Sequence, residues 1–410
     1  MSVQTIGARI VVPCPINGST LVLFYNWAAY FALVAQSSFV VMHGDSMPRR
    51  RGPGTSYSME SAHRPSRVIF ADSLTQNGYQ MSIRWGIVGP GRIAEKLVGD
   101  FAHVPDATVL AVASRSSVRA KAFAAEYGIE RSYGSYRDMI ADPDVDVLYI
   151  ATPHPHHHAI GLAAASAGKA LLVEKAFTAT LAGAESLVDA VREHKVFAME
   201  AMWTRFQPAV VAVRRLLAEG VIGTVRSVQA DLGVMRSFDP TDRVFAHELG
   251  GGAILDLGVY GVSFAQMVLG DPTSVSALGS LEPSGVDADV TFLLGFDEGR
   301  TATVMCSLHS PMPGHARIFG TTGWIDILPR FHHPNSFVLH RAGHESEQFD
   351  LPSLGGGYSH ELIEVTEAIK AGRTESAVMS LDDTLTVQRV LEDALTQLGI
   401  RFDEDPAALL

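Results

Sequence analysis

From residue 82 onward, short runs that are apolar throughout alternate with stretches of helical pattern, and no other feature restricts the fold so strongly. "IRWGIV" (83–88) precedes "RIAEKLVGDFA", "TVLAVA" (108–113) precedes "SVRAKAFAAEYG", and "DVLYIA" (146–151) precedes "HHHAIGLAAASAG". "ALLV" (170–173) and "VFAME" (196–200) lead into helical stretches in the same way. A strand with no polar face must be covered on both sides, and a helix after each strand supplies the cover. The pattern therefore predicts a doubly wound parallel sheet, an α/β fold, over residues 81–202. After about residue 222 the rhythm changes. One apolar helix, Ala253–Leu269, is followed by strand-like runs ("DVTFLLGF", "TATVMCSLH", "ARIFGT", "GWIDIL", "SFVLHR") with little helix between them. That predicts a second, α+β domain at 203–410 with a mostly antiparallel open sheet, closed by helices at 358–371 and 382–398.

Residues 1–80 do not share this rhythm. They hold six arginines, no lysine and three acids, a net of +3, so the remainder of the chain carries −15 of the total −12. An acidic protein of this kind is not expected to bind nucleic acid. The run Leu21–Met42 is long enough to span a bilayer, although Asn26 and Gln36–Ser38 weaken it. Only Arg9 precedes it, and "PRRRGPG" follows it, which is the wrong flank for a signal peptide. The preferred expectation is that residues 1–80 lie outside the fold and that Met81 is the natural initiator. A membrane anchor at 21–42, or a targeting extension, is the alternative. Two cysteines, Cys14 and Cys306, make no disulfide framework and fit a reducing cytoplasm.

In a doubly wound sheet, ligands bind beyond the C-terminal ends of the strands, so the chemistry is sought there. The first end reads "GIVGPGRIA". Gly89 permits a tight turn, Gly91 lets the backbone approach a pyrophosphate, and the helix opened by Arg92 and Ile93 presents its positive end. This is a dinucleotide site. At the second end no acid stands between Ala107 and Ala125, where an enzyme using NAD places one on the ribose hydroxyls. Ser114, Arg115 and Arg119 stand there instead and suit the 2′-phosphate of NADP, making NAD the less favoured cofactor.

The third end, "TPHPHHH" (152–158), concentrates four histidines. A histidine-rich tract is a compositional metal signal. The neighbouring strand ends, however, supply glycines, Ser-Arg, Glu-Lys and Glu-Ala rather than further ligands, so no metal is expected. The fourth end places Glu174 and Lys175 beside the nicotinamide side of the crevice, where a lysine stabilises a developing alkoxide. The fifth, "MEAMWTRF", presents Trp203 and Arg205, the latter suited to a polyol or cofactor contact. Asp256 is the only charged residue between Ala253 and Leu269, and Tyr260 follows one helical turn later. A lone carboxylate in an apolar helix is costly to bury unpartnered, although its first-turn position also suits the helix dipole. With a lysine from the other domain, the two resemble an acid–base set.

Taken together, "GIVGPGRIA", "ASRS", "TPHPHHH", "AGKALLVEKAF", "MEAMWTRF" and "LGGGAILDLGVY" resemble the glucose-fructose oxidoreductase/inositol dehydrogenase-like (Gfo/Idh/MocA) oxidoreductases. Within that family the branch most similar is that of the dimeric dihydrodiol dehydrogenases and NADP-dependent D-xylose dehydrogenases. The resemblance covers roughly residues 82–402. It implies an N-terminal Rossmann domain, a C-terminal domain whose open sheet forms a homodimer interface, and hydride transfer between NADP and a sugar or cyclic diol. It further implies that Lys175, Asp256 and Tyr260 are catalytic, and that Thr152, Pro153, His154 and His157 contact the cofactor, with Glu174, Trp203 and Arg205 nearby. Ala176 stands where the family usually has proline, and the N-terminal extension has no family counterpart. A non-catalytic dinucleotide-sensing regulator on the same scaffold is the main rival; a metal-dependent hydrolase is a distant third.

Overall fold

The structure is a computed structural model and describes residues 9–13, 20–24 and 82–408. In the N-terminal unit, strand β1 (Arg9–Pro13) pairs antiparallel with β2 (Thr20–Phe24) in a hairpin, with Arg9 opposite Phe24. The first residues of the proposed membrane span thus belong to a strand. The rest of that span, Met81 and the arginine run lie outside the described residues.

The second unit begins with β3 (Ile83–Val88), α1 (Arg92–Asp100), β4 (Ala107–Ala113), α2 (Ser117–Tyr127) and β5 (Arg131–Tyr133). It continues through α3 (Tyr136–Ile140), β6 (Val147–Ile150), α4 (His154–Ser166), β7 (Ala170–Glu174), α5 (Leu181–His194) and β8 (Ala198–Ala201). The strands form a six-stranded sheet ordered β5-β4-β3-β6-β7-β8, and every pairing is parallel. Chain direction across the sheet reverses between β3 and β6, so the ends of those two strands open the crevice that such sheets use for ligands. The all-apolar strands have their expected cause. In β6, Val147 and Tyr149 join one buried cluster, while Leu148 and Ile150 join the other on the opposite face.

After α6 (Pro208–Ala218) the chain enters β9 (Val225–Gly233), and then α7 (Val259–Leu269). Strands β10 (Ser274–Leu281), β11 (Asp287–Gly295), β12 (Thr301–Ser307), β13 (Ala316–Gly320), β14 (Gly323–Ile327), β15 (Ser336–Arg341) and β16 (Glu347–Asp350) complete a second sheet. Its order is β10-β11-β12-β9-β13-β14-β15-β16, antiparallel except for the central β12–β9 pair. Helices α8 (Ser359–Lys370) and α9 (Leu381–Gln397) close the chain at the expected positions. Alternation along β11 buries Val290, Phe292 and Leu294 in the core, while Leu293 stays exposed. Leu278, Met305 and Trp324 share that exposure, leaving apolar side chains on the surface of this sheet.

The one expected helix over Ala253–Leu269 is interrupted. Residues Ile254–Gly258 form a π-helical turn, and regular α7 starts only at Val259. The buried Asp287 carboxylate accepts the Ile254 N–H at 2.6 Å and anchors the start of this turn.

Candidate active site

At the end of β3, Gly89 adopts φ +91°, and a Cβ there would press to 3.1 Å against the Ala151 carbonyl and the Thr152 methyl. Only glycine turns the chain this sharply so close to the neighbouring strand. Gly91 caps α1, and a Cβ on it would meet nothing within 4 Å, so the space over the helix N-terminus is open. Arg92 is exposed and Ile93 half-buried at the rim. The Thr152 hydroxyl at the end of β6 is buried without a hydrogen-bond partner among the described residues, and Pro153 caps α4 beside it. An open helix N-terminus flanked by an orphaned hydroxyl fits a dinucleotide's pyrophosphate.

At the end of β4, the buried Ser114 hydroxyl accepts the Ser116 N–H at 3.2 Å, and Ser116 in turn caps α2 by accepting from Arg119 N–H at 3.4 Å. The Arg119 guanidinium donates to the Pro90 carbonyl at 3.3 Å, which holds it over the glycine loop. Arg115 is exposed beside it.

Strand β7 then divides the Glu174–Lys175 pair. Its Glu174 side chain points into the core, accepts the Tyr149 hydroxyl, and takes the Lys175 N–H at 3.2 Å. Burial raises its pKa. Its carboxyl thus braces the strand end through Tyr149 and the Lys175 N–H. Lys175 faces the crevice, across a cis bond to Ala176. Its Nζ donates to the Asp256 carbonyl at 2.7 Å, stands 3.6 Å from the Asp256 carboxylate and lies 4.7 Å from the centre of the Tyr260 ring.

Asp256 sits in the π-helical turn, not on a regular helix face. Its carboxylate accepts from Arg243 Nη2 at 2.8 Å, and Tyr260 is not among its hydrogen-bond partners in the described residues. Burial alone would raise the pKa of Asp256; Lys175 and Arg243 outweigh it and hold the group well below the usual carboxylate range. Burial, reinforced by the charges of Glu174 and Asp256, pushes the Tyr260 hydroxyl well above its ordinary pKa, so it is protonated in this state.

The histidine stretch divides as well. His154 Nδ1 lies 2.8 Å from the Gly250 carbonyl and Nε2 3.3 Å from that of Lys175. His157 Nε2 lies 2.7 Å from the Thr152 carbonyl and Nδ1 3.2 Å from those of Ala176 and Phe177. Burial depresses their pKa values to about 3 and about 4. Each neutral imidazole has one N–H to donate, so each ring holds one of the carbonyls that face it. His154 and His157 thus sit at the mouth of the cofactor loop with their ring nitrogens against backbone carbonyls. His156 faces Asp405 at 3.3 Å and His158 faces Ser186 at 3.1 Å, so the four rings do not converge. Among the described residues no three His, Cys, Asp or Glu side chains are grouped to hold a metal ion.

Arg205 is not brought to the crevice. Its guanidinium, 3 % exposed, donates to the Ser263 hydroxyl and carbonyl, Gln266, Asp383 and the Val378 carbonyl. All three nitrogens are occupied, so the expected polyol or cofactor contact is corrected to a clamp joining the β8 end to α7 and α9. Trp203 stacks on Tyr358 with centroids 4.2 Å apart, and the rings of His333 and His332 stand 5.2 and 6.0 Å from it. His332 also lies 5.0 Å from the Tyr260 ring. Sequence reasoning missed His332, His333 and Tyr358. The one local signal was the pair of histidines between Pro329 and Pro334 in an otherwise strand-rich region.

The geometry thus sets an open glycine-lined helix N-terminus beside a lysine, an ionised aspartate and a protonated tyrosine. Comparisons with known proteins identify the family. Residues 83–202 match the oxidoreductase family with NAD-binding Rossmann fold, and 210–326 match the GFO/IDH/MocA C-terminal domain. A trans-1,2-dihydrobenzene-1,2-diol dehydrogenase from Xenopus tropicalis is 36 % identical over 334 residues, covering 78 % of this chain and 100 % of its own. A 3-ketoreductase from Actinomadura kijaniata, solved with NADP, superposes with a TM-score of 0.69 at 28 % identity over 79 % of this chain and 100 % of its own. An aldose-aldose oxidoreductase from Caulobacter crescentus gives 0.71 at 26 % identity over 78 % and 98 %. The chain belongs to the Gfo/Idh/MocA family of oxidoreductases, with the Rossmann and C-terminal domains of that family both present.

Proposed function

We propose that the protein is an NADP-dependent dehydrogenase acting on a secondary or hemiacetal hydroxyl of a sugar or cyclic diol. The observation that carries this reading is the meeting of Lys175, Asp256 and Tyr260 next to the glycine-lined crevice. Gly89, Gly91 and Thr152 would hold the pyrophosphate. Ser114, Arg115 and Arg119, with no acid among them, would hold the 2′-phosphate that distinguishes NADP. The bound nicotinamide would supply the hydride acceptor.

The chain's own residues account for the proton and the charge. Lys175, held by Asp256, stabilises negative charge developing on the substrate oxygen. Tyr260 exchanges the proton with that oxygen, donating it during carbonyl reduction and accepting it during alcohol oxidation. Tyr260 is protonated in the ligand-free state, so it stands ready to donate in the direction of carbonyl reduction. Asp256 keeps the two cations Lys175 and Arg243 in place. The exposed apolar side chains on the second sheet support a homodimer formed through that face. The unpaired, buried Cys306 thiol agrees with a cytoplasmic setting.

The test follows NADPH by its absorbance, with NADP⁺ and then NAD⁺, on D-xylose, D-glucose, myo-inositol and a trans-dihydrodiol. Turnover that Lys175→Ala abolishes, and that Tyr260→Phe lowers by about 10²- to 10⁴-fold without loss of NADPH binding, supports the reading. Tight NADPH binding with no turnover on any alcohol or carbonyl would return the protein to the sensing role.

A further inference from the structure

The loop between β14 and β15 brings against Tyr260 a side chain that the reaction above does not use. Its backbone is fixed: the Phe331 N–H donates to the Gly314 carbonyl at 2.7 Å, and the His332 carbonyl accepts the Thr204 hydroxyl at 2.7 Å. Phe331 is fully buried against Phe264, with ring centroids 5.6 Å apart. From this anchored loop the His332 ring reaches the Tyr260 ring and is itself 6 % exposed. Its Nδ1 is buried and has no hydrogen-bond partner among the described residues. Burial, reinforced by the charges of His333, Arg330 and Lys175, lowers its pKa and keeps the ring neutral. A neutral imidazole offers one donor and one acceptor, the same complement as a hydroxyl group. An unpartnered buried polar atom is destabilising, so a ligand that supplies the missing bond is favoured there.

We infer that His332 is a specificity-determining residue that binds the hydroxyl on the carbon next to the one oxidised. The inference rests on the dehydrogenase reading, in which Lys175 and Tyr260 hold the reacting oxygen. His332 abuts Tyr260 from the β14–β15 loop of the same domain, so a second oxygen one carbon away falls to it. The protein then selects vicinal diols, in an aldose or a cyclic diol alike, over isolated alcohols. The polyhydroxylated ring is sorted by hydrogen bonding at this position, while Trp203 and Tyr358 supply a flat apolar wall.

The test compares matched substrates within each enzyme form: D-glucose with 2-deoxy-D-glucose, and trans-1,2-cyclohexanediol with cyclohexanol. Wild type, His332→Phe and His332→Asn are assayed for kcat/KM, with NADPH affinity followed by fluorescence. Wild type should prefer the diol of each pair. His332→Phe should lose about 10- to 100-fold on the diol, mainly in KM, with the mono-hydroxyl partner and NADPH affinity within about twofold. His332→Asn, which keeps a donor and an acceptor, should recover part of the preference. The ratio is internal to each protein sample, so partial loss of folded enzyme cancels. Equal losses on both members of a pair, or a preference unchanged in active His332→Phe, overturn the inference alone. Wild type inactive on every alcohol and carbonyl overturns the dehydrogenase reading and this inference together.

Discussion

Replacing Arg205 by leucine should cost stability and leave cofactor binding intact. The guanidinium lies in the core between the two domains, donating to Ser263, Gln266, Asp383 and Val378. Removing one partner of a buried, hydrogen-bonded charge pair costs about 3–5 kcal/mol. The lower end applies here, because the Asp383 side chain is 27 % exposed and Gln266 Nε2 keeps its own bonds to Asp383 and Asp271. An unfolding entropy of about 2.1 cal/mol/K per residue over about 330 residues converts about 3 kcal/mol into a fall of about 4 °C in Tm. The loss has a second consequence. Glu200 is fully buried and its pKa, raised by burial and partly offset by Arg205, stands at about 7. Without the arginine it should climb further, so the penalty should grow with pH. Calorimetry gives the Tm shift, and NADPH fluorescence titration on the folded variant gives Kd, expected within about twofold of wild type. A Tm change below about 1 °C with Kd weakened about tenfold or more would refute the clamp and return Arg205 to the cofactor.

Two further outcomes are expected. Arg115→Asp should lower the ratio of kcat/KM for NADP over NAD by about tenfold or more, since it adds a ribose-binding acid and a charge that repels the 2′-phosphate; an unchanged ratio in steady-state kinetics would count against the NADP assignment. Asp287 binds a proton more tightly folded than unfolded, because burial raises its pKa to about 7 from 3.8. Its contribution to stability therefore falls as pH rises from about 4 to about 7 and then levels off. Asp287→Asn should remove that slope and gain up to about 4 kcal/mol at pH 8 over the wild-type protein, a gain that vanishes near pH 4 in denaturant titrations.

Local pattern alone determined much of this protein. Apolar runs such as "ALLV" and "DVLYIA", each followed by a helix, specify strands buried on both faces, and strand ends then specify where a ligand binds. That logic located the glycine turn, Ser114 and Arg115, and the placement of Lys175, Asp256 and Tyr260 near one another. Strand β9, central in the second sheet, was not evident, because Arg226, Gln229 and Asp231 interrupt its apolar residues. What tertiary structure decided was the partner of each polar group. His154 meets the carbonyl of Gly250, 96 residues away, and Arg205 meets Asp383, 178 residues away. Asp256 was turned onto Arg243 by a π-helical turn that no helical period foretells, and His332 arrived on the loop between β14 and β15. Hydrophobic period and turn chemistry act over a few neighbouring residues, so a sequence displays them directly. A buried donor or acceptor instead takes whichever group the packed segments bring within about 3 Å, and that choice exists only once the chain has folded.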